Sequence, residues 1–108
     1  MRILIDDDPI SKGLDIKEFD IVATTYQAGR ALIFYTISNN DEIYFDHDLN
    51  SLDPKWTGFD LLKIAFQLKK FPLKIVLVTN NPIGRKNMQA LLEEHNYIQK
   101  EYNEFHKN

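Results

Sequence analysis

Two clusters, Asp6-Asp7-Asp8 and Asp46-His47-Asp48, hold the side chains best suited to chemistry in this chain. Each follows a short apolar run, Arg2-Ile3-Leu4-Ile5 in the first case and Glu42-Ile43-Tyr44-Phe45 in the second. Such runs, rich in Ile, Phe and Tyr and stopped by charge, predict buried strands of a parallel sheet. If the two strands are neighbours, the carboxylates and the His47 imidazole converge at their C-terminal ends, the edge where open α/β sheets bind ligands. Carboxylates so crowded repel one another, so some stay protonated or a hard cation sits among them; the cation is the preferred expectation. Asp6 and Asp7, with Asp46 opposite and Asp48 as a further donor, can hold Mg²⁺ (or Mn²⁺) and leave positions open for phosphate oxygens. Asp46 can serve as ligand or as nucleophile toward phosphorus. His47 suits general acid or base work on a phosphoester, provided the strand has ended there and the ring can reach the crevice. Its plainer role is a strand-end cap bonded to Asp48.

A third segment, Thr79-Asn80-Asn81-Pro82-Ile83-Gly84-Arg85, leads from a strand into a helix start, whose free amides favour anions. Thr79, Asn81 and Arg85 are therefore candidate phosphate-binding residues, although a turn and an ordinary helix start would explain the segment equally well. Thr57-Gly58-Phe59-Asp60 reads as a structural helix start, Thr57 capping and Asp60 favouring the dipole. Trp56 either covers the crevice or packs on the surface. His95 and His106 have no acidic or catalytic context and receive no role.

The elements that must position these groups follow from periodicity. Strands are expected at Ile3 to Ile5, Asp20 to Thr24, Glu42 to Phe45 and Leu73 to Val78, with a short fifth at Tyr97 to Lys100 and a helical or frayed tail to Asn108. Helices are expected over Tyr26 to Ile37, Gly58 to Lys70 and Ile83 to His95, and a loop over Leu49 to Thr57. Alternation of strands and helices implies parallel crossovers with helices on both faces: a small doubly wound, mainly parallel five-stranded sheet of order 2-1-3-4-5, one domain over residues 1–108. A chain of 108 residues, 44% hydrophobic and 27% charged, supports one core. Its net charge of −3 disfavours non-specific binding to duplex DNA. The absence of cysteine removes disulfides, thiolate metal sites and thiol nucleophiles. No apolar stretch approaches the roughly 20 residues of a membrane span. The first strand begins without the basic and apolar regions of a signal peptide, so the expected location is cytoplasmic.

Taken in order, these motifs resemble the cyclic-phosphate-processing receiver-like domains, relatives of the response-regulator receiver fold. That family has a hydrophobic strand then Asp-Asp, later Asp-His-Asp-Leu, then Thr-Gly-x-Asp, then a strand ending in His-Ser-x-Asn-Pro-x-Gly. Here the matching residues are Ile5-Asp6-Asp7, Asp46-His47-Asp48-Leu49, Thr57-Gly58-Phe59-Asp60 and Val78-Thr79-Asn80-Asn81-Pro82-Ile83-Gly84, with Met88 following. The resemblance covers roughly residues 2 to 92 and implies a receiver-like fold that hydrolyses or binds a cyclic phosphate, of a nucleotide or an RNA end. One position departs: Val78 stands where the family has its second histidine. Two-histidine catalysis is therefore not available to this chain.

The departure strengthens a rival, a single-domain phosphoacceptor receiver phosphorylated at Asp46. Its acid pair would be Asp6 and Asp7, its hydroxyl Thr79 and its lysine Lys100. A third reading is a non-catalytic domain binding a nucleotide or a protein.

Overall fold

The computed structural model describes all residues from 1 to 108. Its strands are β1 (Arg2–Ile5), β2 (Ile21–Ala23), β3 (Glu42–Phe45), β4 (Lys74–Leu77), β5 (Tyr97–Glu101) and β6 (Glu104–Lys107), and its helices α1 (Tyr26–Tyr35), α2 (Gly58–Gln67) and α3 (Pro82–Glu94). The sheet order is β2-β1-β3-β4-β6-β5. The first four strands are parallel, with Ile3 opposite Ile43 and Ile75 opposite Ile43 in register. The α/β class and the receiver-like order of the parallel strands are thus as expected.

Each helix begins at a residue whose side chain satisfies a free amide. Thr25 accepts from Ala28, Thr57 from Asp60 and Asn81 from Gly84, the last with Pro82 in the first turn, where its missing N–H costs nothing. The core alternates along the strands: Ile3 and Ile5, Ile43 and Phe45, Ile75 and Leu77 face Ile33, Leu61, Leu62, Met88 and Leu92 of the helices. The helices contact one another in succession, α1 against α2 and α2 against α3. They share one sheet face, as right-handed crossovers moving in one direction across a sheet require.

Helices on both faces, the arrangement expected from the alternation, is therefore corrected. The β1-to-β2 connection, the one step in the opposite direction, forms no α-helix. Pro9 starts it, and it folds as two short 3₁₀ turns, Ile10–Lys12 and Ile16–Glu18. Its Phe19 packs edge-on against Tyr44, 4.9 Å between ring centroids, on the face away from the helices.

The C-terminal end is also corrected. Tyr97 to Lys100 is a strand, but it lies at the sheet edge, and the supposedly helical or frayed tail forms β6, antiparallel to both β4 and β5. A tight hairpin at Tyr102-Asn103 reverses the chain, so β6 takes the place beside β4. Phe105 is fully buried opposite Ile75, while Glu104 and Lys74 pair at 3.0 Å on the outer face. One apolar residue flanked by polar ones carries too little periodicity to mark a strand. We expect Phe105→Ala to cost about 3–5 kcal/mol in urea unfolding; a frayed tail would lose almost nothing.

Candidate functional site

Parallel pairing decides the geometry of the acidic edge. Ile5 lies opposite Phe45, and the Asp46 amide donates to the Ile5 carbonyl at 2.8 Å, so the residues following the two strands stay side by side. One ligand oxygen each from Asp6, Asp7 and Asp46 lie within 4.8 Å of one another. Asp6 is fully buried, Asp46 is 3% exposed and Asp7 is half-buried. Three hard carboxylate donors at this spacing could hold a divalent ion of the Mg²⁺ or Mn²⁺ kind.

Lys12, from the first 3₁₀ turn, enters the same cluster. Its Nζ donates to Asp6 Oδ2 at 2.9 Å and to Asp46 Oδ2 at 2.6 Å. Burial pushes the Asp6 and Asp46 carboxyls above their ordinary values, against the opposing hydrogen bonds from Lys12. Asp7 adds to the rise at Asp46 and the Thr79 hydroxyl counters it. Burial also works against the Lys12 ammonium, but its bonds to Asp46 and Asp6 prevail and its pKa is raised. Sequence reading missed Lys12 because nothing local marks it. The available signal was the need of several buried carboxylates for a nearby cation.

His47 follows Asp46, and its amide donates to Asp46 Oδ1 at 2.8 Å. Its ring Nδ1 is 3.0 Å from Asp48 Oδ1 and 3.5 Å from Asn81 Nδ2. The Asp48 carboxylate also accepts from Asn81 Nδ2 at 3.3 Å. Asp48 thus orients the imidazole and the α3 cap, and the acids that close up within 4.8 Å of one another are Asp6, Asp7 and Asp46 without it. His47, Asp48, Ser51, Trp56 and Thr57 are among the residues lining a surface cavity of about 300 Å³. Ser51 Oγ is buried there without a hydrogen-bond partner. Trp56 stacks on Tyr26, 5.4 Å apart and 8° from parallel, and Tyr26 donates to Asp60.

Thr79 and Asn81 lie at this edge, Thr79 Oγ1 accepting from the Asn81 amide at 3.1 Å. Arg85 does not. One residue beyond Gly84, it turns about 100° around α3 and stacks on Tyr102, 3.7 Å from the ring centroid. There it bonds Gln89 at 2.7 Å, Asn103 at 2.9 Å and the Tyr102 carbonyl, which fixes the β5–β6 turn. Its assignment to phosphate is withdrawn. Lys100 is withdrawn as well: it is exposed on the edge strand β5, which β6 separates from β4.

Two glycines are required by close approach. A Cβ at Gly58 would lie 1.8 Å from the Asp46 carbonyl oxygen, and one at Gly84 would lie 2.3 Å from the His47 ring. Helices α2 and α3 therefore begin directly against the backbone of Asp46 and the imidazole of His47. We expect Gly58→Ala to destabilise by about 3 kcal/mol, the upper end for forced overpacking, since a backbone oxygen cannot rotate away. Gly13→Ala, strained at φ +73° but with open space around it, should cost only about 1–2 kcal/mol. Paired urea titrations check the contrast, and equal losses would refute the close-approach argument.

Comparison with curated proteins and with solved structures returned no match. A family model described as the cyclic-phosphate processing receiver domain matches residues 1–94, ending with α3 and leaving only the β5–β6 hairpin outside. Within that span lie Asp6, Asp46, His47 and the two glycines packed against them, and the chain belongs to the cyclic-phosphate processing receiver domain family.

Proposed function

We propose that this domain binds a cyclic phosphate ester, of a nucleotide or an RNA end, at the C-terminal edge of β1, β3 and β4, and hydrolyses it. The observation that carries the reading is the juxtaposition of a three-carboxylate group with an imidazole one residue along the chain, oriented by Asp48 and packed on Gly84. Asp6, Asp7 and Asp46 would hold a divalent ion, which would supply neutralising charge for phosphate oxygens. His47 moves the proton: water oxygen bonds to phosphorus, the ring P–O bond breaks, and the leaving ribose oxygen is protonated. Asp46 is the alternative attacking group. Thr79 and Asn81 supply the hydroxyl and amide donors of the same edge. Trp56, the chain's single tryptophan, borders the His47 cavity and provides a fluorescence signal for binding there.

Turnover of 2′,3′- and 3′,5′-cyclic nucleotides with Mg²⁺ or Mn²⁺ tests the proposal. His47→Ala should lower kcat by about 10²–10⁴ in the folded variant while leaving ligand affinity nearly unchanged. Val78→His, restoring the family's second histidine, should raise it. Absence of turnover by the parent chain with every metal and substrate would sink the hydrolase reading, and Trp56 quenching without turnover would leave a binding domain.

A phosphoacceptor role is the second reading, favoured by the Lys12 ammonium at 2.6 Å from Asp46 and by the Thr79 hydroxyl. It expects acetyl phosphate to modify Asp46 and Lys12→Ala to reduce the yield of acyl phosphate. Intact-mass spectrometry showing no adduct on the parent protein would exclude it.

A further inference from the structure

The position of Lys12 adds a device to the proposed metal site, and the argument rests on that reading of the Asp6-Asp7-Asp46 group. Its ammonium bonds Asp6 Oδ2 and Asp46 Oδ2 simultaneously. The Oδ1 atoms of Asp6 and Asp46 already accept from the Asp8 and His47 amides, so a divalent ion held by both acids would compete with Lys12 for the Oδ2 atoms, and its charge would repel the ammonium. One ammonium offsets part of the negative charge of three carboxylates, and Asp7 receives no bond from it. A divalent ion that also takes Asp7 matches the group better in charge and in donor number.

The segment carrying Lys12 is built to give way. Neither 3₁₀ turn buries a residue, and Ile10 is 76% exposed. Gly13 closes the first turn at φ 73° with no side chain or backbone within 4 Å of where its Cβ would be. The turn from Ile10 to Gly13 packs little of its own surface, and its glycine pivot allows it to open locally while buried Pro9 and the Phe19 end of the connection stay on the sheet. The Lys12 side chain is itself 13% exposed, so its outward path is short.

We propose that Lys12 is a displaceable internal counter-ion: it holds the acidic edge closed in the metal-free protein and is expelled when a divalent cation enters. Lys12 thereby sets the cation concentration at which the site loads.

Calorimetric titration of Mg²⁺ into the parent chain and into Lys12→Met is the direct test. The variant keeps an apolar stem but removes the competitor, and should bind Mg²⁺ about tenfold more tightly or better, since two charge-assisted bonds no longer have to be broken. Equal or weaker binding by a folded variant, with the parent binding normally, overturns the displacement and leaves the metal site standing. No heat with either protein removes the metal site and the displacement together. A measurement on the parent chain guards against a variant that does not fold. Lysine acetylation followed by peptide mass spectrometry should find Lys12 protected relative to exposed Lys17 without Mg²⁺, and labelled at a similar rate with it. Protection of Lys12 that persists at a Mg²⁺ concentration saturating the calorimetric signal also overturns the proposal.

Discussion

In-register parallel pairing of β1 with β3 is the constraint from which the site follows. With Ile5 opposite Phe45 and the Asp46 amide on the Ile5 carbonyl, the residues after each strand are forced together. Slipping the pair by one residue would turn Ile43 and Phe45 out of the core and carry Asp46 away from Asp6. Burial of the alternate isoleucines and Phe45 holds the register. The hydrophobic core therefore fixes the carboxylate spacing, even though none of the carboxylates belongs to it. The cost falls on Asp6 and Asp46, buried charges that need a cation. Lys12 supplies one from outside the sheet.

The beginnings of α2 and α3 complete the edge by contact. Gly58 lets the α2 start rest on the Asp46 carbonyl, and Gly84 lets the α3 start rest on the His47 ring. The Gly58 amide donates to the His47 carbonyl at 2.8 Å, and the Asn81 cap reaches Asp48. Each helix start thus has two functions, closing its own first turn and clamping a residue of the Asp46-His47-Asp48 strand end. This accounts physically for glycine in both helix-start motifs, where neither residue has a positive φ.

On the face away from the helices the sheet is covered by the Pro9-to-Phe19 connection and by side chains. Arg2 lies against both Phe19 and Tyr44, 5.2 and 5.3 Å from their ring centroids, and donates to the Tyr44 hydroxyl at 2.8 Å. Lys74 pairs with Glu42 at 3.4 Å and with Glu104 at 3.0 Å. Long side chains laid along a half-buried surface can cover apolar area while keeping their charges in water. Lys12 is free to be a site residue because its segment is not committed to a packed helix.

The fold class, the parallel strands β1 to β4, the three helix starts and the convergence of Asp6, Asp7 and Asp46 were legible in the residues. Short apolar runs, N-caps and alternation are local signals, and parallel order follows from crossover rules. Three outcomes were not legible. Phe105 became a core residue only because a hairpin turned it toward Ile75, and that pairing is non-local. Arg85 left the site because helical rotation brought it to the Tyr102 ring, a partner in another element. Lys12 replaced Lys100 as the lysine of the acidic edge because β6 displaced β5 outward while a 3₁₀ turn brought Lys12 across the end of β1. Sequence determined which groups could do chemistry. Tertiary structure decided which cation meets the buried acids, because charge pairing depends on distance in space and leaves no period along the chain.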